Sequence, residues 1–132
     1  AGGLVLADRY VTSNAVHQAC KLPEAEWEGF FQWLFDFECD KLGLPRPDQV
    51  IYLDMPTERA VALLRSREAA THTTGDIHEV DTDYLALCRR TALRAAQYLG
   101  WKRIPCTNES GELRAPEEIH EQIWAELAQT IN

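Results

Sequence analysis

Leu44-Pro45-Arg46-Pro47-Asp48-Gln49-Val50-Ile51-Tyr52-Leu53-Asp54-Met55-Pro56-Thr57 is the stretch on which the fold turns. Pro45 and Pro47 hold the entering chain extended. The apolar run Val50-Ile51-Tyr52-Leu53 then reads as a short strand buried on both faces of a parallel sheet. Asp54 falls at its carboxyl end, where Pro56 and Thr57 favour a turn or capping role for it, and Thr57 can cap the helix that follows.

Upstream, Leu4-Val5-Leu6-Ala7 has the same unbroken apolar character and predicts another buried strand, ending on a polar turn. Thr12 or Ser13 can cap a helix over 15–20, which Pro23 interrupts. A second helix starts near Pro23 or Glu24; Trp27, Phe30, Phe31, Leu34 and Phe35 form its core stripe, and Gly43 can stop it. Downstream, the helix after Thr57 runs to Arg65 and Arg67 and gives way to a polar stretch, Thr71-His72-Thr73-Thr74-Gly75-Asp76, that reads as a mobile loop. Asp81 or Thr82 opens a long helix closed by Gly100. Trp101-Lys102-Arg103-Ile104 predicts a third strand, Asn108-Glu109-Ser110-Gly111 a turn, and Pro116 the first turn of a final amphipathic helix carrying Ile119, Ile123, Trp124 and Leu127. This alternation predicts one α/β domain over 1–132, a three-layer α/β/α arrangement around a parallel sheet. Three strands make a thin sheet, so further strands are expected before Ala1, where the chain opens without an initiator Met.

The composition bounds the partners. The 132 residues are 45% hydrophobic and 26% charged, which excludes collagen-like and disordered classes. With 13 Lys+Arg against 21 Asp+Glu the net charge is -8, which argues against broad adhesion to nucleic acid or to a membrane surface. Any anionic ligand must meet a local cluster of arginines. Cys20, Cys39, Cys88 and Cys106 stand far apart without metal-site spacing and read as reduced thiols. No apolar stretch approaches a membrane span and no secretory signal opens the chain, so a cytoplasmic location is expected.

Ligands of open α/β sheets collect at the carboxyl ends of the strands, which directs attention to Asp8-Arg9-Tyr10, Asp54 and Cys106-Thr107-Asn108. The planar fork of Arg9 suits a phosphate, and Asp8 could orient a hydrated Mg2+. The competing reading ties both into structural salt bridges. Ser13, Asn14, His17 and Gln18 share one side of a helix start, where amides can read a base edge or simply cap and solvate the helix. Arg65 and Arg67 are candidates for an anion site or for a solvated helix end. His72, His78 and Glu79 have no spacing that recommends a metal.

Leu6-Ala7-Asp8-Arg9-Tyr10-Val11-Thr12-Ser13-Asn14-Ala15-Val16-His17-Gln18 resembles the D-R-Y/H-x-x-S-x-x-A-Y/F-Q stretch of thymidylate kinases, and the segment from Leu44 to Pro56 is similar to their L-P-x-P-D-x-x-x-x-L-D-x-x-P. Asp76-Ile77-His78-Glu79 falls where the family has a short signature after its lid, here about 68–80, and Trp101-Lys102-Arg103-Ile104 matches its last strand. The resemblance implies a P-loop nucleoside monophosphate kinase fold and transfer of a phosphoryl group from ATP to dTMP, giving dTDP. Asp8 and Arg9 would be catalytic, Arg9 gripping the dTMP phosphate. Ser13, Asn14, His17, Gln18 and Glu79 would line the dTMP site, although His17 stands where the family has an aromatic residue. Arg65, Arg67, Thr107 and Asn108 would approach ATP. Mg2+ would accompany ATP, with Asp8 reaching it through water and no direct metal ligand, and a homodimer is implied. No G-x-x-x-x-G-K-S/T occurs in the 132 residues, and no Arg or Lys lies between Glu68 and Glu79. Activity of the chain alone is therefore not expected. The alternatives are a non-catalytic nucleotide-binding or interaction module and a kinase for another deoxynucleoside or its monophosphate.

Overall fold

The computed structural model describes residues 2–71 and 81–131, and these separate into two compact units, 1–46 and 47–132. The boundary falls inside the Pro45-Arg46-Pro47 linker.

The first unit is helical. Helix α1 (Thr12–Ala19) is followed by a 3-10 turn (Glu24–Glu26), helix α2 (Trp27–Phe35) and a π-helical turn (Asp36–Lys41). The aromatic stripe forms as its spacing predicts except at Phe30, which is only half-buried: Trp27, Phe31, Leu34 and Phe35 are buried against α1, whose Ala15 and Ala19 are fully covered. Gly43 closes the run in the left-handed region at φ +73°. On the adjacent flank, Trp33 stacks on Phe37 at 5.5 Å and lies 5.7 Å from Phe30, with Trp33 left 53% exposed.

Two expectations fail in this unit. Residues 4–7 form no strand; Leu4, Val5 and Leu6 are 72%, 89% and 86% exposed. An extended apolar segment becomes a strand only where a neighbouring backbone takes its N–H and C=O groups, and none does so among the described residues. Thr12 and Ser13 are not caps either. Val11 holds the N-cap position without a side-chain bond, and backbone closes the turn through Ser13 N to Tyr10 O (2.9 Å) and Asn14 N to Val11 O (3.0 Å).

The second unit is mixed α/β. Strand β1 (Ile51–Asp54) pairs in parallel with β2 (Lys102–Pro105), Leu53 opposite Ile104 and Asp54 opposite Pro105. Between them run α3 (Thr57–Thr71) and α4 (Thr82–Leu99), and α5 (Pro116–Ile131) follows. The sheet has two strands among the described residues where three were expected. Leu53 of β1 is left 47% exposed, while Ile104, its partner on the same face of β2, is fully buried.

Helix α4 packs on both strands, burying Cys88, Ala92, Ala95 and Ala96. It starts and stops as its sequence dictates. Asp81 accepts a hydrogen bond from Tyr84 N at 3.0 Å, and Gly100 ends the helix at φ +73°. Helix α3 outlasts its expected end, because Glu68, Ala69 and Ala70 continue the helix to Thr71. Residues 68–71 of the loop expected at 68–80 are thus helical, and 72–80, with Glu79, lie outside the described residues. Among the described residues no helix is long and apolar enough to cross a membrane.

Candidate functional site

In the first unit, Asp8 and Arg9 sit in an exposed bend directly before α1. Arg9 is at φ +69°, the one residue other than glycine with positive φ among the described residues. For a residue with a Cβ this conformation is uncommon and costs on the order of 1 kcal/mol or more. Neither Asp8 nor Arg9 makes an ion pair or hydrogen bond among the described residues. The bend is fixed from behind: Tyr10 donates its hydroxyl proton to Pro45 O at 2.9 Å, joining the two sequence motifs within one unit.

Ser13, Asn14, His17 and Gln18 do fall together. They occupy two adjacent i, i+4 columns of α1, facing away from buried Ala15 and Ala19. Asn14 donates from Nδ2 to Glu38 Oε1 at 3.2 Å, which fixes its amide orientation and leaves its carbonyl oxygen as an acceptor.

In the second unit the strand ends carry a cluster that motif reading passed over. Asp54 is 1% exposed, and its carboxylate is held by two arginines. Arg89 of α4 donates from Nε to Oδ1 at 2.7 Å and from Nη2 to Oδ2 at 3.1 Å. Arg103 of β2 donates to Oδ2 from Nε at 2.7 Å and from Nη2 at 2.6 Å. The turn or capping role expected for Asp54 is corrected: its side chain faces inward, and a buried carboxylate must be paired.

Burial works to raise the Asp54 pKa, and the Arg89 and Arg103 hydrogen bonds overcome it, holding the carboxyl below its ordinary value. Tyr52 is pushed up to about 12, by burial first and the Asp54 charge second. The Cys106 thiol is raised for the same two reasons in the same order, so it is a weak nucleophile. The signal for Arg89 was its position on the edge of the α4 stripe formed by Cys88, Ala92 and Ala96; for Arg103, its place on the strand beside β1.

Asn108 builds its own turn, Oδ1 accepting from Ser110 N at 3.0 Å and Glu112 N at 2.9 Å, and Thr107 bridges to Leu113. Arg65 and Arg67 are both exposed on α3. Two positions apart, they leave the helix about 200° from each other, so one small anion cannot meet both. Among the described residues no group of three His, Cys, Asp or Glu converges for a metal.

No family model matches the chain. No solved structure matches it. Curated thymidylate kinases from two strains of Mycobacterium tuberculosis are each 38% identical to it over 64 residues, which is 48% of this chain and 30% of the length of those relatives. Over about half its length, the chain is similar to thymidylate kinases.

Proposed function

We propose that this chain supplies the acceptor side of a dTMP kinase, in which the γ-phosphoryl group of ATP passes to dTMP and leaves dTDP and ADP. The observation that carries the reading is Arg9: a guanidinium without a protein partner among the described residues, held at positive φ inside a D-R-Y motif at the head of α1. In-line phosphoryl transfer asks the protein for positioning and charge neutralisation, and a planar guanidinium binds a phosphate through two parallel hydrogen bonds. Arg9 grips the dTMP phosphate and Asp8 places it. Asn14 presents its carbonyl to the N–H of the thymine edge, with Ser13, His17 and Gln18 on the same helix face.

The wider architecture belongs to the same proposal: a three-layer P-loop kinase fold, a lid over 68–80, Glu79 at the nucleoside sugar, and Arg65, Arg67, Thr107 and Asn108 toward ATP. Mg2+ would travel on the ATP phosphates, where it neutralises charge, and Asp8 would accept from its water shell. The Phe30–Trp33–Phe37 ladder supports a homodimer, the charge of -8 argues against broad adhesion to nucleic acid or a membrane surface, and a cytoplasmic location belongs to the same proposal. The 132 residues contain no phosphate-loop motif, so binding and not turnover is their expected property.

Titration calorimetry of the chain with dTMP, thymidine, AMP and GMP tests this. dTMP should bind best, Arg9→Ala should weaken dTMP by roughly tenfold or more and thymidine little, and Asn14→Ala should erase preference for thymine. Equal binding of dTMP, AMP and GMP, or indifference to Arg9→Ala, would overturn the reading.

A further inference from the structure

One buried carboxylate needs one guanidinium, and Asp54 has two. All the arginine contacts run through Nε and Nη2, and neither Arg89 nor Arg103 has another partner among the described residues. Each therefore keeps its Nη1 amino group unengaged among the described residues. Exposure divides the cluster in the same way: the Asp54 side chain is 1% exposed, those of Arg89 and Arg103 33% and 49%. The negative charge is consumed inside while both cations still reach solvent.

A guanidinium fixed by a buried carboxylate has already lost its rotamer freedom, so a second anion meets it at a lower entropic cost than it would meet a free surface arginine. Asp54 closes β1 at its carboxyl end, the end of such sheets where ligands gather, and Arg103 reaches it from β2, where it stands opposite Tyr52. We infer that Arg89 and Arg103, tethered by Asp54, form a binding site for a phosphoryl anion. One charge opposes it: Glu58, in the first turn of α3, acts electrostatically on Arg89. Glu58 weakens the Arg89 half, so the Arg103 edge is the stronger half of the site. The phosphate chain of a nucleotide and free polyphosphate share this chemistry. None of these residues carries a role in the dTMP reading, so the inference stands apart from it.

The test is an NMR titration of the arginine Nε–Hε signals of the chain with tripolyphosphate, ATP and adenosine. Tripolyphosphate should shift the Arg89 and Arg103 signals saturably, ahead of exposed Arg65. Arg103→Gln and Arg89→Gln should each weaken binding about tenfold, and Glu58→Gln should tighten it. Because removing a partner from buried Asp54 can destabilise the fold, Arg103→Lys is the companion variant. It keeps a cation for Asp54 and loses the fork, so circular dichroism should stay native while affinity falls, which a purely structural pair would not show. ATP binding tighter than tripolyphosphate with adenosine silent identifies a nucleotide phosphate chain; equal binding identifies free polyphosphate. Uniform shifts of all exposed arginines, no saturable shift, or unchanged affinity in folded Arg103→Lys would overturn the site.

Discussion

The two units solve opposite problems. Residues 1–46 cohere through apolar groups, with Phe31 fully buried and Trp27 2% exposed, and keep Asp8 and Arg9 in solvent. Residues 47–132 bury a charge: their strand ends close on Asp54, clamped from α4 and β2. A charge left exposed is available to a ligand and contributes little to stability, whereas a charge taken inside contributes to stability only while its partners remain. The charged candidates of the first unit are therefore separable from its folding, and those of the second are not.

That contrast can be broken most forcefully at Phe31. Phe31→Ala should cost about 3–5 kcal/mol, read by urea denaturation through Trp27 fluorescence, because it empties the centre of an apolar core. Asp54→Asn should cost about 3 kcal/mol in the same assay, at the lower end for a broken buried pair because the arginines can turn to solvent. It also has a pH signature. The folded Asp54 carboxyl lies below its ordinary value, so its contribution is present above the ordinary carboxylate range and is lost as pH falls through the lowered folded value. Asp54→Asn should flatten that acid limb, while Phe31→Ala should leave its shape intact.

Smaller effects sharpen the comparison. Asp81→Ala removes the N-cap of α4 and should cost about 1 kcal/mol, seen as a lower urea midpoint. Arg46→Ala breaks the exposed Arg46–Asp40 pair at 2.8 Å and should leave the midpoint unchanged, since both side chains are more than half exposed and water replaces the contact. A clear loss there would mean that surface charge supports the first unit after all.

Much of the fold was legible along the chain. The aromatic stripe of α2, the Asp81 and Gly100 bounds of α4, the Asn108 turn and the strand at 51–54 all follow from signals within a few residues of one another. The failures were relational. Residues 4–7 have strand composition and no strand partner, and α3 ran on because three good helix formers follow Arg67. The D-R-Y motif pointed to Arg9, yet its positive φ could not be read from it. Asp54 was visible as a strand-end carboxylate, but its two arginines stand 35 and 49 residues away.

Local order along the chain was enough to say where helices and turns fall, because caps, glycines and apolar spacing act through bonds between near neighbours. Which extended segment finds a partner, and which carboxylate is buried against which guanidinium, depended on packing between residues far apart in sequence. Strand pairing and charge burial are settled by what the folded chain brings alongside, and no single stretch of residues carries that information.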